Sequence, residues 1–156
     1  MNVIAWRIIQ RKFAKLAFRG EGARLFGGRW NSPGHAVVYT AQSLALAALE
    51  ILVHVDSDKL LQDYVAIPVT VDPQLITQVD KSALPNNWRA YPASKATRTI
   101  GDDWISEGGL PVLQVPSAVI PTEFNFLLNP SHKEFRKLRI GKPQRFRFDR
   151  RLTDKS

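Results

Sequence analysis

Residues 43–55 read Ser-Leu-Ala-Leu-Ala-Ala-Leu-Glu-Ile-Leu-Val-His-Val, a helix-forming run that is aliphatic except for its cap, one carboxylate and one imidazole. Leu and Ala favour the helix, and Ser43 can accept a hydrogen bond from an N–H of the first turn. A helix that is apolar almost all round is expected to be buried on most sides. The run is too short to cross a bilayer, which takes about 20 apolar residues, so its burial calls for a layered globular fold. Glu50 is then the residue in tension with its surroundings, because a buried carboxylate is costly unless paired, hydrogen-bonded or neutralised. Two placements remain open. Glu50 lies on one wet stripe with His54 a turn later, although Leu46 a turn earlier interrupts that stripe. Alternatively it projects into a cleft, where its charge meets a substrate or an arginine.

A second block, Phe26-Gly-Gly-Arg29-Trp30-Asn-Ser-Pro-Gly34, pairs glycines with a guanidinium. Glycines permit sharp turns and close approach of a ligand to backbone, and Arg29 offers a planar fork suited to phosphate or carboxylate oxygens. Trp30 can anchor the loop or stack on a ring. The block is neither a P-loop nor a dinucleotide fingerprint. Read alone, it is equally a glycine-rich surface turn. Tyr39 closes a short apolar strand just before the helix, where packing is the simpler reading. Ser117 is a hydroxyl within the apolar run Val115–Ile120, where a bond to neighbouring backbone is the simpler reading.

The remaining organisation is mixed. Strands are expected near residues 6–9, 36–40, 64–71, 110–120 and 123–128. Helices are expected at 11–18, 43–55 and 95–107, with Ile100, Trp104 and Ile105 as the last one's apolar side, and a loop over 20–34. Pro68 suggests an edge or a bulge in its strand. Residues 85–92 are irregular. Asp102-Asp103 after Gly101 suits a helix start. Arg145–Asp149 alternates basic and aromatic residues, as in a half-buried terminal strand or, less economically, a single-strand binder. Without regular strand–helix alternation the fold class is α+β. The 156 residues suit a single domain, 1–156.

Cysteine is absent, which excludes disulfides and thiolate metal sites. The three histidines share no metal-ligand spacing, so no metal is expected. No serine-hydrolase elbow is present. With no signal-peptide pattern, a cytoplasmic protein is expected. The net charge of +8 favours anionic partners: nucleic acid, an acidic protein or a phosphate-bearing ligand. The densest basic stretch is the tail, residues 133–151.

Taken in order, Trp6-Arg7-Ile8, Gly-Gly-Arg-Trp-Asn, Val-Val-Tyr-Thr, Ala-Ala-Leu-Glu with Leu-Val-His, Val-Pro-Ser-Ala-Val-Ile and Glu123-Phe-Asn125-Phe-Leu-Leu-Asn-Pro resemble the RES domain family over most of the chain. The resemblance implies Arg29, Glu50 and Ser117 as the name-giving trio and Arg7, Tyr39 and Asn125 as further cleft residues. It implies catalytic roles for Arg29, Glu50, Tyr39 and Ser117, and substrate binding by Arg7, Arg29, Tyr39 and Asn125. It also implies a compact fold similar to ADP-ribosyltransferases, with small sheets around a cleft. The implied activity is that of a bacteriostatic toxin cleaving the nicotinamide–ribose bond of NAD⁺ by hydrolysis or phosphorolysis. NAD⁺ is then substrate, with no separate cofactor. Transfer of ADP-ribose to a protein through the same cleft is the alternative, and a non-enzymatic basic nucleic-acid-binding module is a third reading. The implied partner is an Xre-type helix-turn-helix antitoxin that blocks the cleft and provides the sole link to nucleic acid. No membrane partner is implied, and a homodimer is left open.

Overall fold

The computed structural model describes residues 1–60 and 62–153. Eight strands form one sheet: β1 (Val3–Gln10), β2 (Val38–Ala41), β3 (Tyr64–Val71), β4 (Ile76–Gln78), β5 (Val112–Pro116), β6 (Phe124–Leu128), β7 (Arg139–Ile140) and β8 (Gln144–Phe146). Their order is β4-β5-β6-β2-β1-β3-β7, with β8 also on β3. Only β4 and β5 run parallel. Among the described residues four α-helices accompany the sheet: α1 (Glu21–Phe26), α2 (Leu44–Leu52), α3 (Ser57–Leu60) and α4 (Lys95–Glu107). The α+β expectation holds.

Alternating side chains of the central strands feed opposite faces. Ala5, Val38, Val69, Val112 and Leu128 form one core, closed by Leu75 and Leu138. On the other face, Ile8, Ala41, Tyr64 and Ala66 meet Leu46 and Ala47 of α2. Further along that face, Leu113, Val115 and Leu127 meet Trp30 and Trp104.

The Ser43 side chain caps α2 by accepting from the Leu46 N–H at 3.1 Å. The helix stops at Leu52, short of the expected 55, and it is less enclosed than its composition suggests. Leu46 and Ala47 are buried, while Ala45, Leu49 and Val53 leave an apolar stripe in solvent.

Pro68 is tolerated for a different reason from the edge or bulge expected. β3 is covered on its outer side by two short strands, β8 opposite Tyr64–Ala66 and β7 opposite Val69 and Thr70. Pro68 falls in the gap between them, where no ladder N–H is needed, and its carbonyl accepts from the Gly141 N–H at 2.7 Å. The expected helix at 11–18 is a 3-10 turn over Arg11–Leu16, and the expected loop at 20–34 begins with helix α1. Asp102 lies inside α4, whose first turn is capped instead by Ser94. Arg145 and Phe146 belong to β8, and Phe146 and Phe148 stack edge-on at 5.0 Å, with Phe148 against Tyr64 at 5.3 Å. These two rings are spent on the core, so the single-strand reading of that segment loses its stacking platform.

Candidate active site

β1 pairs with β2 through one register, Trp6 opposite Ala41, whereas β2 pairs with β6 along its whole length. Beyond that register the ladder between β1 and β2 is missing, and the Arg7 guanidinium takes its place, Nη1 donating to the Tyr39 carbonyl at 3.1 Å. A cleft of about 1230 Å³ lies here, bounded by β1, β2, the end of α2, the 26–33 loop and the 89–93 segment. That is ample for a small-molecule ligand.

Glu50 faces the cleft from the last turns of α2 and is half-buried. Its Oε1 accepts from Asn125 Nδ2 at 2.7 Å and its Oε2 from Ser117 Oγ at 3.1 Å. Burial pushes its pKa above the usual carboxylate range, while the Asn125 and Ser117 bonds and the nearby Arg29 charge pull it back. The wet-stripe placement is therefore replaced by the cleft placement. Asn125 is fixed in turn by donating to the Thr40 carbonyl at 3.1 Å. Ser117 is fully buried behind Glu50 and accepts from the Val119 and Ile120 N–H groups at 3.1 and 3.2 Å. Ser117 does not line the cleft and holds Glu50 from behind by that hydrogen bond.

Arg29 lies across the same cleft, close enough that the Glu50 charge favours its protonated form while burial opposes it. Its Nη1 donates to the Trp88 and Ala90 carbonyls at 2.9 and 2.7 Å. Its other nitrogens have no acceptor among the described residues. The loop carrying it is held by a set of hydrogen bonds. Asn31, wholly buried, donates to the carbonyls of Ala23, Ser32 and His35 and accepts from the Tyr39 hydroxyl. The Trp30 N–H donates to the same hydroxyl at 3.2 Å. Gly28 is required here, since a Cβ would stand 2.4 Å from the Tyr39 oxygen. Tyr39 thus spends its hydroxyl on the loop. Burial raises its pKa, so it remains a neutral phenol. Trp30 is an anchor, buried against Trp88 at 6.0 Å between centroids.

Arg7 is pushed down to about 10 by burial. Its Nε is buried and has no hydrogen-bond partner. Glu50, Arg29, Arg7, Tyr39 and Asn125 all line one cleft, with Ser117 behind.

Sequence reasoning passed over Arg89, Tyr91 and Arg98, which also line the cleft, and read Asp102 only as part of a helix start, whereas it accepts from the Ser32 N–H at 2.8 Å and ties α4 to the Arg29 loop. A basic residue in the first turn of a helix reads as a solvated charge, so Arg98 carried no signal. Among the described residues no cluster of three His, Asp or Glu side chains is arranged to hold a metal, and no helix is long and apolar enough to cross a membrane.

Fold and site together define a class: an α+β sheet protein with one held carboxylate facing several arginines across a cleft. The RES domain profile matches residues 4–149, and the chain belongs to that family. It is 40% identical to "Toxin Res" of Yersinia enterocolitica, over 96% of this chain and 99% of that one. It is 32% identical to "Prs ADP-ribosylating toxin" of a Sphingobium species over the full length of both. The toxin–antitoxin complex MbcT–MbcA of M. tuberculosis contains a chain of the same fold, with TM-score 0.75 and 18% identity, covering 94% of this chain and 85% of that one.

Proposed function

We propose that the protein is the toxin of a toxin–antitoxin pair and acts by cleaving NAD⁺ between nicotinamide and ribose. The observation that carries this reading is Glu50, a carboxylate clamped by Asn125 and Ser117 in a cleft whose other charged side chains are cationic. NAD⁺ needs both features. Its diphosphate is anionic, and cleavage of its glycosidic bond passes through an oxocarbenium-like state with positive charge growing on the ribose. The leaving group is already cationic, so it departs without a strong acid and keeps the electron pair of the broken C–N bond. Water then forms the new C–O bond and loses a proton, giving nicotinamide, ADP-ribose and H⁺. Glu50 stabilises the developing cation and accepts a ribose hydroxyl bond, while Arg29 and Arg7 hold phosphate or ribose oxygens. NAD⁺ is consumed as substrate, and no further cofactor enters.

Phosphate or a protein side chain in place of water gives phosphorolysis or ADP-ribosylation through the same cleft. The Sphingobium relative favours weighing the protein acceptor directly. The solved neighbour, a toxin held by an antitoxin, favours an antitoxin that covers this cleft, which we take to be of the Xre type. The cellular NAD⁺ pool makes the cytoplasm the place of action and growth arrest the outcome.

The test is incubation of pure protein with NAD⁺ labelled in the adenylate half, with and without cell extract. Nicotinamide release with free ADP-ribose supports hydrolysis, labelled ADP-ribose 1″-phosphate supports phosphorolysis, and a labelled protein band supports transfer. Glu50→Gln should lower turnover at least a hundredfold (a loss of roughly 3 kcal/mol of transition-state stabilisation) with NAD⁺ binding little changed. Near-normal turnover by that variant would remove Glu50 from the chemistry.

A further inference from the structure

Four arginines line the cleft: Arg7, Arg29, Arg89 and Arg98, against one carboxylate, Glu50. Each spends hydrogen bonds on backbone carbonyls only. The acceptors are Tyr39 for Arg7, Trp88 and Ala90 for Arg29, Ala118 for Arg89 and Ala93 for Arg98. None belongs to an ion pair among the described residues. Two of them, Arg7 and Arg98, also hold a buried Nε without a partner, and these are the buried side-chain polar atoms left unsatisfied among the described residues. An N–H so placed loses its water and gains nothing in return, and for the deeply buried Arg7 the want of a counter-charge adds to that cost. Two guanidinium groups lining one cleft, neither paired with a carboxylate, leave their remaining N–H groups to an anion that arrives from outside.

Arg98 is brought there by α4. Gly101, one turn later, sits so close to the Arg29 loop that a Cβ would stand 1.7 Å from the Trp30 carbonyl oxygen. Asp102, four residues after Arg98 and therefore on a neighbouring stretch of the same face, binds the Ser32 N–H. The helix face that docks on the Arg29 loop thus carries Arg98 one turn nearer the helix start, against Ala93 at the cleft wall.

We propose that Arg98 joins Arg7 and Arg29 of the same cleft in a phosphate-binding seat, and that its occupant is the diphosphate of a dinucleotide substrate. The identity of the occupant rests on the NAD⁺ reading, whereas the anion seat rests on cleft arginines that have no counter-charge. Free orthophosphate offers the same chemistry from another source. The seat assigns Arg98 to substrate binding and leaves charge stabilisation at the ribose to Glu50.

The experiment measures binding to wild type, Arg98→Met and Arg98→Lys by calorimetry, using ADP-ribose, inorganic pyrophosphate, orthophosphate and nicotinamide as probes, with thermal melts of each protein. ADP-ribose and pyrophosphate should bind Arg98→Met about ten- to a hundredfold more weakly than wild type, as expected for losing hydrogen bonds from a charged donor. Arg98→Lys should recover only part, and nicotinamide should be unaffected. Ligand-free Arg98→Met should melt close to wild type, because the group removed makes one hydrogen bond, to the Ala93 carbonyl, and no ion pair. If orthophosphate displaces pyrophosphate but not ADP-ribose, the free anion is the occupant. If it displaces neither at comparable concentration, the nucleotide diphosphate is. Equal binding of ADP-ribose and pyrophosphate by a folded Arg98→Met overturns the seat, as does a large fall in its melting temperature without loss of binding. Pyrophosphate binding that depends on Arg98 in a protein that leaves NAD⁺ intact would sustain the seat and refute the NAD⁺ reading. NAD⁺ cleavage with an unchanged KM in Arg98→Met would do the reverse.

Discussion

Burial and hydrogen bonding act on Glu50 in opposite directions, and burial wins. A carboxylic acid whose folded pKa exceeds its unfolded value binds its proton more tightly in the folded state. It therefore withdraws stability as pH rises from the ordinary carboxylate range through the folded pKa. The melting-temperature difference of Glu50→Gln minus wild type should then be larger at pH 7 than at pH 4, because the amide's own hydrogen-bonding cost is nearly the same at both. A difference independent of pH would mean that the carboxylate is not destabilised by its site. Ser117 belongs to the same balance. Ser117→Ala removes a bond that lowers the Glu50 pKa and leaves the Val119 and Ile120 N–H groups without their acceptor. The acidic limb of the kcat/KM profile for NAD⁺ should move to higher pH, and the variant should lose about 1–3 kcal/mol in a urea melt. Loss of stability with an unmoved limb would make Ser117 a structural hydroxyl alone. The sequence marked Glu50 through its conflict with an aliphatic helix. It could not mark Asn31, whose role depends on carbonyls of Ala23 and His35 that only the folded loop gathers around it.

At the level of elements, what was legible in the chain was periodicity and capping. Helix α4 spans the expected 95–107, and α2 starts at its serine cap. Strands β4 and β7, of three and two residues, have no pattern long enough to read and exist because a neighbour offers pairing partners. Helix α1 has six residues and no buried one, so glycines on either side concealed it. The docking of α4 on the Arg29 loop was equally hidden, because Gly101 reads as a weak point in a helix and acts as a contact surface. Gly101→Ala should cost at least about 1–3 kcal/mol in urea, as overpacking does. It should also lower activity by shifting Arg29, even under conditions where the variant stays folded. The matching control is Gly22, inside α1, where a Cβ meets nothing within 4 Å. Gly22→Ala should gain about 0.5–1 kcal/mol through helix propensity. Similar effects of the two substitutions would show that α4 does not press on the loop.

For the molecule as a whole, the excess of positive charge is conspicuous in the tail by sequence, and the fold sets further uncompensated charge in the cleft. Three tail cations have acidic neighbours: Lys137 with Glu134 at 2.6 Å, Arg151 with Asp149 at 3.0 Å and Arg145 with Asp63 at 4.0 Å. The four cleft arginines have no such ion pair among the described residues, and the one carboxylate they share the cleft with is held by Asn125 and Ser117. Walls of low dielectric around the cleft concentrate its field. Binding of an anion there should weaken with salt, as screening shortens the reach of those charges to about 10 Å at 0.1 M and about 3 Å at 1 M. Affinity for ADP-ribose should therefore fall several-fold between 50 and 500 mM KCl, while affinity for uncharged nicotinamide stays level. Substituting Lys137→Gln with Arg151→Gln should leave the slope of log affinity against log salt unchanged, whereas Arg98→Met should flatten it. If the tail substitutions flatten the slope and the cleft substitution does not, the net charge serves a partner on the outer surface, and the arginines of the cleft are counter-charges for something other than a nucleotide.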